Sequence, residues 1–183
     1  MRLARVLGLL IVASLSAAPN PQSQIYRNQE FGIAVPVPNG ALLCAYPGKH
    51  DHGPTFLLGL AAAERCRDIQ RDRYVTIFAS YNAADVTKKL HDFLKWECET
   101  PCGRPPGSLL IAGLPTEAAR VSRPGGWLDV VVVTQAGKPD PALDPSAALI
   151  NYDLRLHTQT RYLDEDLQTF RAVLRTVRLS PTK

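Results

Sequence analysis

Apolar and polar positions alternate with a period of two through most of this chain and switch to a helical period in two places. "FGIAVPV" sets Phe31, Ile33, Val35 and Val37 on one side of a strand, and Pro36 and Pro38 put its end at a sheet edge. "ALLCAY" and "PTFLLGL" read as two further short strands. "RYVTIFASYN" places Tyr74, Thr76, Phe78 and Ser80 on one face and Val75, Ile77 and Ala79 on the other. With few charges on either face, it predicts a central, well-buried strand. "SLLIAGLPTEAARVSRPGGWLDVVVVTQAG" reads as strand, turn, strand, turn, strand, punctuated by Gly113-Leu114-Pro115 and Pro124-Gly125-Gly126. "ALINYDLRLHTQT" turns Ile150, Tyr152, Leu154 and Leu156 inward and Asn151, Asp153, Arg155 and His157 outward.

The helical stretches are equally readable. Val86, Leu90, Phe93 and Leu94 recur at helical spacing behind a cap at Asn82, which predicts a middle helix over about 83–97. Leu167, Phe170, Leu174 and Val177 make the buried stripe of a C-terminal helix over about 164–178. Its first turn holds Asp164, Glu165 and Asp166, and its later turns Arg171, Arg175 and Arg178, as a helix dipole favours. The sum is a single α+β domain over 25–180, with a mainly antiparallel sheet packed by two helices.

The N-terminus changes the picture of where the chain works. Arg2 and Arg5 precede an uncharged apolar run from Val6 to Ala13, followed by small residues and Pro19. That is the layout of a secretory signal covering 1–16, with the cut as late as 18 as an alternative, and a flexible leader follows over 17–24. Its apolar part is too short to span a bilayer, and no later apolar run reaches that length. The 183 residues carry 21 Lys and Arg against 17 Asp and Glu. Losing Arg2 and Arg5 with the signal leaves 19 against 17, so half of the net charge of +4 belongs to the signal. Basic residues are neither clustered nor interleaved with aromatics, which argues against a nucleic-acid partner.

Four cysteines in an exported chain read as two disulfides, and neighbour pairing joins Cys44 to Cys66 and Cys98 to Cys102. A redox role for "CETPC" is the weaker reading, because its spacing is C-x-x-x-C. Between the first two cysteines lies "KHDHG". His50 and His52 with Cys44 and Cys66 make a chemically acceptable zinc set, but oxidised thiols do not ligate. The flanking Pro47-Gly48 and Gly53-Pro54 mark a turn, so the run reads as a polar loop held at its base by a disulfide.

The start "YRNQEFGIAVPVPNGA", the hairpins of the second half and the closing "FRAVLRTVRL" resemble the PsbP-like and DcrB-like α/β sandwich families. That resemblance implies a fold and largely non-catalytic roles, and it carries over no site residue. The standard catalytic signatures are missing. A triad of Ser80, His157 and Asp153 can be assembled on paper, but a packed serine and two solvated side chains explain these residues as well. The acidic run 164–166 reads as helix-start stabilisation. The expectation is an exported, non-enzymatic binding module of the bacterial periplasm with no cofactor, an immunity or inhibitor protein being one concrete form. Its partner is a protein or envelope component, met through loops that present His50, Asp51, His52 and Arg104, with Trp127 as an aromatic anchor or a cover for the core edge. The alternatives are a metal-dependent or hydrolytic enzyme using His50 and His52, and a small-ligand carrier.

Overall fold

The computed structural model describes residues 24–44, 51–59, 66–67, 69–81, 89–98, 101–137 and 149–180. The signal, the leader up to residue 23, His50 and the expected helix start at 82–88 lie outside the described residues. Among the described residues nine strands and two α-helices follow in order: β1 (Ile25–Asn28), β2 (Ile33–Pro36), β3 (Leu42–Cys44), β4 (Thr55–Leu57), β5 (Tyr74–Tyr81), α1 (Leu90–Cys98), β6 (Glu117–Arg123), β7 (Trp127–Ala136), β8 (Ile150–Gln159), α2 (Leu163–Thr176) and β9 (Arg178–Leu179). They build two antiparallel sheets, a small one ordered β1-β2-β9 and a large one ordered β3-β4-β5-β8-β7-β6. The chain is an α+β domain of the predicted kind.

The inner face of the large sheet is the main core. Val75, Ile77 and Ala79 of β5, Val130 and Val132 of β7, and Ile150, Tyr152, Leu154 and Leu156 of β8 meet Leu167, Phe170, Val173 and Leu174 of α2. The small sheet adds Tyr26, Ile33 and Val35 to the same cluster, with Phe31 beside them. Tyr152, wholly buried, spans the two sheets by donating its hydroxyl to the Phe31 carbonyl at 2.6 Å. Burial pushes its phenol pKa well above the ordinary tyrosine value, so it stays a donor. On the outer face α1 lays Phe93 and Leu94 against Ala119, Val121, Val131 and Val133.

Several sequence expectations need correction. β5 is central, but only Val75, Ile77 and Ala79 are buried; Phe78 on its other face is 46% exposed. No strand forms over 108–111, although Leu109 and Ile111 are buried, because that segment packs its apolar side chains without joining a ladder. α2 stops at Thr176, where Val177 turns extended and Arg178–Leu179 pair with β2. Leu179 thereby reaches the core, which a continued helix would deny it. β2 is not an edge strand, yet β9 pairs only with Ile33 and Ala34, so Pro36 faces a partner on one side alone.

Candidate functional site

Gly53 explains the local shape of the described part of "KHDHG", Asp51 to Gly53. Its φ is 138°, and a Cβ there would lie 2.1 Å from the Ile77 carbonyl oxygen, so only glycine fits. This close approach lets the segment run along β5, with Ala79 N donating to the His52 carbonyl and Ile77 N to that of Pro54. Asp51 is half-buried rather than displayed. Its carboxylate accepts from the Tyr26 hydroxyl at 2.7 Å and from Gly53 N at 3.0 Å, while its carbonyl accepts from Asn28. Burial, and then the bond to Asp51, raises the Tyr26 pKa, so this hydroxyl too is fixed as a donor.

His52 likewise turns inward. Its Nδ1 donates to the Ala79 carbonyl at 2.8 Å, and its ring stacks between Phe31 and Phe78 at 5.4 and 4.9 Å. The two sulfurs that a zinc set would need are spent on each other, since Cys44 is bonded to Cys66; Cys98 is bonded to Cys102. Asp51 and His52 thus fasten the small sheet to β5, and neither stands out as a loop-tip contact. Arg104 is exposed.

Trp127 leads elsewhere. It begins β7, and the ladder places Asp129 of β7, His157 of β8 and Tyr74 of β5 in one cross-strand row beside it. The His157 imidazole is sandwiched, with Trp127 at 4.6 Å and nearly parallel on one side and Tyr74 at 4.9 Å on the other. His157 Nδ1 donates to Asp129 Oδ1 at 2.6 Å, which leaves Nε2 as the ring's second polar atom. The other Asp129 oxygen accepts from Arg123 Nε at 2.8 Å. Burial pushes the Asp129 pKa up, but the bonds from His157 and Arg123 outweigh it, and the net direction is down.

Arg155 extends this network along β8. Its Nη2 reaches Asp153 at 2.8 Å and Glu97 of α1 at 2.9 Å, and its Nη1 lies 3.7 Å from Asp129. Burial would lower the Arg155 pKa, and its three carboxylate neighbours reverse that. Asp153 goes the other way: burial raises its pKa against the pull of Arg155. Among the described residues its Oδ1 is the buried side-chain oxygen left without a hydrogen-bond partner. Tyr74, Arg123, Pro124, Trp127, Asp129, Arg155 and His157 line an open cleft of about 480 Å³ over this network.

The cleft overturns the solvated reading of Asp153 and His157, whose side chains are only 8% and 14% exposed. It also dismantles the paper triad. Ser80 pairs with Asn151, six residues along β8 from His157, which is about 20 Å at strand rise. The acidic run at 164–166 divides as well. Asp166 is buried, bonded to Thr158 and paired with Arg73 at 2.9 Å, so a helix dipole does not account for it. Sequence reasoning passed over Asp129 and Arg123, although a lone charge inside "WLDVVVV" is itself a signal, because buried carboxylates are rare unless paired.

No family model and no curated protein matches the chain in sequence. In structure it is similar to cyanobacterial PsbP (CyanoP) from Synechocystis sp. PCC 6803, with a TM-score of 0.50 and 15% identity over 90% of this chain and 96% of that one. It is similar too to LpqN, involved in cell envelope biogenesis of Mycobacterium tuberculosis, with a TM-score of 0.50 and 12% identity over 89% and 87% of the two chains. The fold is therefore that of the PsbP-like and DcrB-like sandwiches, and at these identities the likeness is one of fold alone.

Proposed function

We propose that this chain is an exported, non-enzymatic binding module of the bacterial periplasm, which takes a protein or envelope partner at the cleft on the outer face of the large sheet. The observation that carries the reading is that the cleft's charged side chains are already paired with one another. Arg123 and His157 hold Asp129, and Arg155 holds Asp153 and Glu97, so the surface is rigid before a partner arrives. Trp127 stacked on His157 is the kind of immobilised aromatic from which binding hot spots are made. The signal-like N-terminus, the two disulfides and a fold shared with an envelope-biogenesis protein support an extracytoplasmic setting. Among the described residues no helix is long and apolar enough to cross a membrane. An immunity or inhibitor protein acting on a toxin or lytic enzyme is the concrete form we favour.

One observation favours a second reading. Asp129–His157 has the geometry of the base half of a hydrolytic triad, with Nε2 left for a substrate proton. Cross-linking capture from intact cells separates the two. The tagged chain is expected to recover a discrete partner that Trp127→Ala and His157→Ala both lose, compared at a temperature where circular dichroism shows each variant still folded. Identical recovery by wild type and variants would overturn the binding reading. Turnover of a model ester that His157→Ala abolishes would replace it with the catalytic one.

A further inference from the structure

The small sheet turns its second face to solvent, and among the described residues the charge there has no counterpart. Arg27 of β1, Ala34 of β2 and Arg178 of β9 stand in one cross-strand row. Such neighbours project to the same side, and ladder spacing puts the two arginines about 10 Å apart at Cα, with only the Ala34 methyl between them. Arg175 joins them from the last turn of α2, and all three are exposed. Among the described residues none of these guanidinium groups has an ion pair or hydrogen bond. The α2 dipole accounts for Arg175 and Arg178 but not for Arg27, which comes from the other end of the chain.

The three arginines border a groove of about 780 Å³ between the small sheet, the 111–114 turn and the end of α2. Among the described residues no acidic side chain lines it, and beside the arginines Ile25, Pro36 and Leu114 offer apolar surface, while Ile111 and Leu179 close its floor from the core. This is the reverse of the cleft on the large sheet, where each arginine has its carboxylate. Arginine forks match phosphate oxygens bidentately, and a groove of this volume is within the range that small ligands occupy.

We propose that this groove binds an anionic amphiphile, with a phosphate monoester head held by Arg27, Arg175 and Arg178 and a hydrocarbon chain along Ile25, Pro36 and Leu114. Ala34 leaves the head room to approach the sheet, and neutralising three unpaired cations supplies the preference for anionic over neutral heads. The site is independent of the cleft, so either can fail without the other.

Isothermal titration of the purified chain with monomeric dodecyl phosphate, below its micelle concentration, tests the assignment. One-to-one binding is expected, at least about tenfold tighter than for inorganic phosphate or dodecyl maltoside. Arg27→Gln with Arg178→Gln should weaken it by at least about tenfold, and both positions are exposed and unpaired, so the melting curve should not move. Trp127→Ala should leave binding unchanged. Equal affinity for dodecyl maltoside would reduce the groove to an apolar surface and overturn the proposal. So would unchanged binding by the double variant, or binding to phosphatidylglycerol vesicles with none to the monomer.

Discussion

On the inner face of the large sheet, Val130, Val132, Tyr152, Leu154 and Leu156 meet the apolar stripe of α2, with Asp166 set at its start against Thr158 and Arg73. On the outer face of the same strands, one residue over, stand Asp129, Asp153, Arg155 and His157. Both rows are buried or nearly so, and by opposite means. The inner row is removed from water by a helix and a second sheet; the outer row is covered partly by α1 and partly by its own ion pairs. Apolar burial tolerates partners of conserved volume, whereas a charge in the outer row becomes costly when it loses its last mate. That makes the inner face a scaffold and the outer face a fixed pattern of charge and aromatic surface.

Phe170→Ala should break the inner face most severely. The ring is wholly buried in the main core, and its loss is expected to cost about 3–5 kcal/mol, read as a lower denaturant midpoint with an unchanged slope. Asp129→Asn comes next, at about 2 kcal/mol near pH 7, because His157 and Arg123 each lose a charge-assisted bond while the shape is kept. Its pH dependence has a definite sign. Asp129 is held below the ordinary carboxylate range, so its contribution is complete above about pH 5 and lost as pH falls through its depressed folded value. Acid titration of stability should therefore be shallower in Asp129→Asn than in wild type below about pH 4.

Asp153→Asn should have the smallest effect and the opposite sign. Burial raises the Asp153 pKa, so its ionised form costs stability above that value and the cost disappears as pH falls through it. The variant is expected to be about 1 kcal/mol more stable than wild type at pH 7, with the gap closing towards pH 4. Thermal melts across that range measure it. A destabilised variant with an unchanged gap would mean that Asp153 serves Arg155 as a fully charged partner.

β8 shows what was legible in the sequence and what was not. Its alternation assigned Ile150, Tyr152, Leu154 and Leu156 to the core correctly, because period two reports which residues share a face. It cannot report whether the other face is covered, and Asp153 and His157 were misread as solvated for that reason. Asp166 was misread in a similar way: the dipole rule explains an acidic first turn, but the partner that buries Asp166, Arg73, is distant in sequence. β1 and β9 carry four and two residues, too few for a periodic signal. The glycine of "KHDHG" marked a special backbone position, but the described part runs along β5, and the inward set of Asp51 and His52 depends on Tyr26 and Ala79, which no local pattern names.

The strand order of the large sheet has a temporal side. β8 lies between β5 and β7, yet it is built from residues 150–159, close to the C-terminus. The pairing of Tyr74 with His157 must wait for almost the whole chain, and bringing such distant segments together is slow. A chain emerging N-terminus first can form its early hairpins but cannot close its central ladder. If the chain is exported as proposed, this order would keep the polypeptide open until the last strand arrives on the far side.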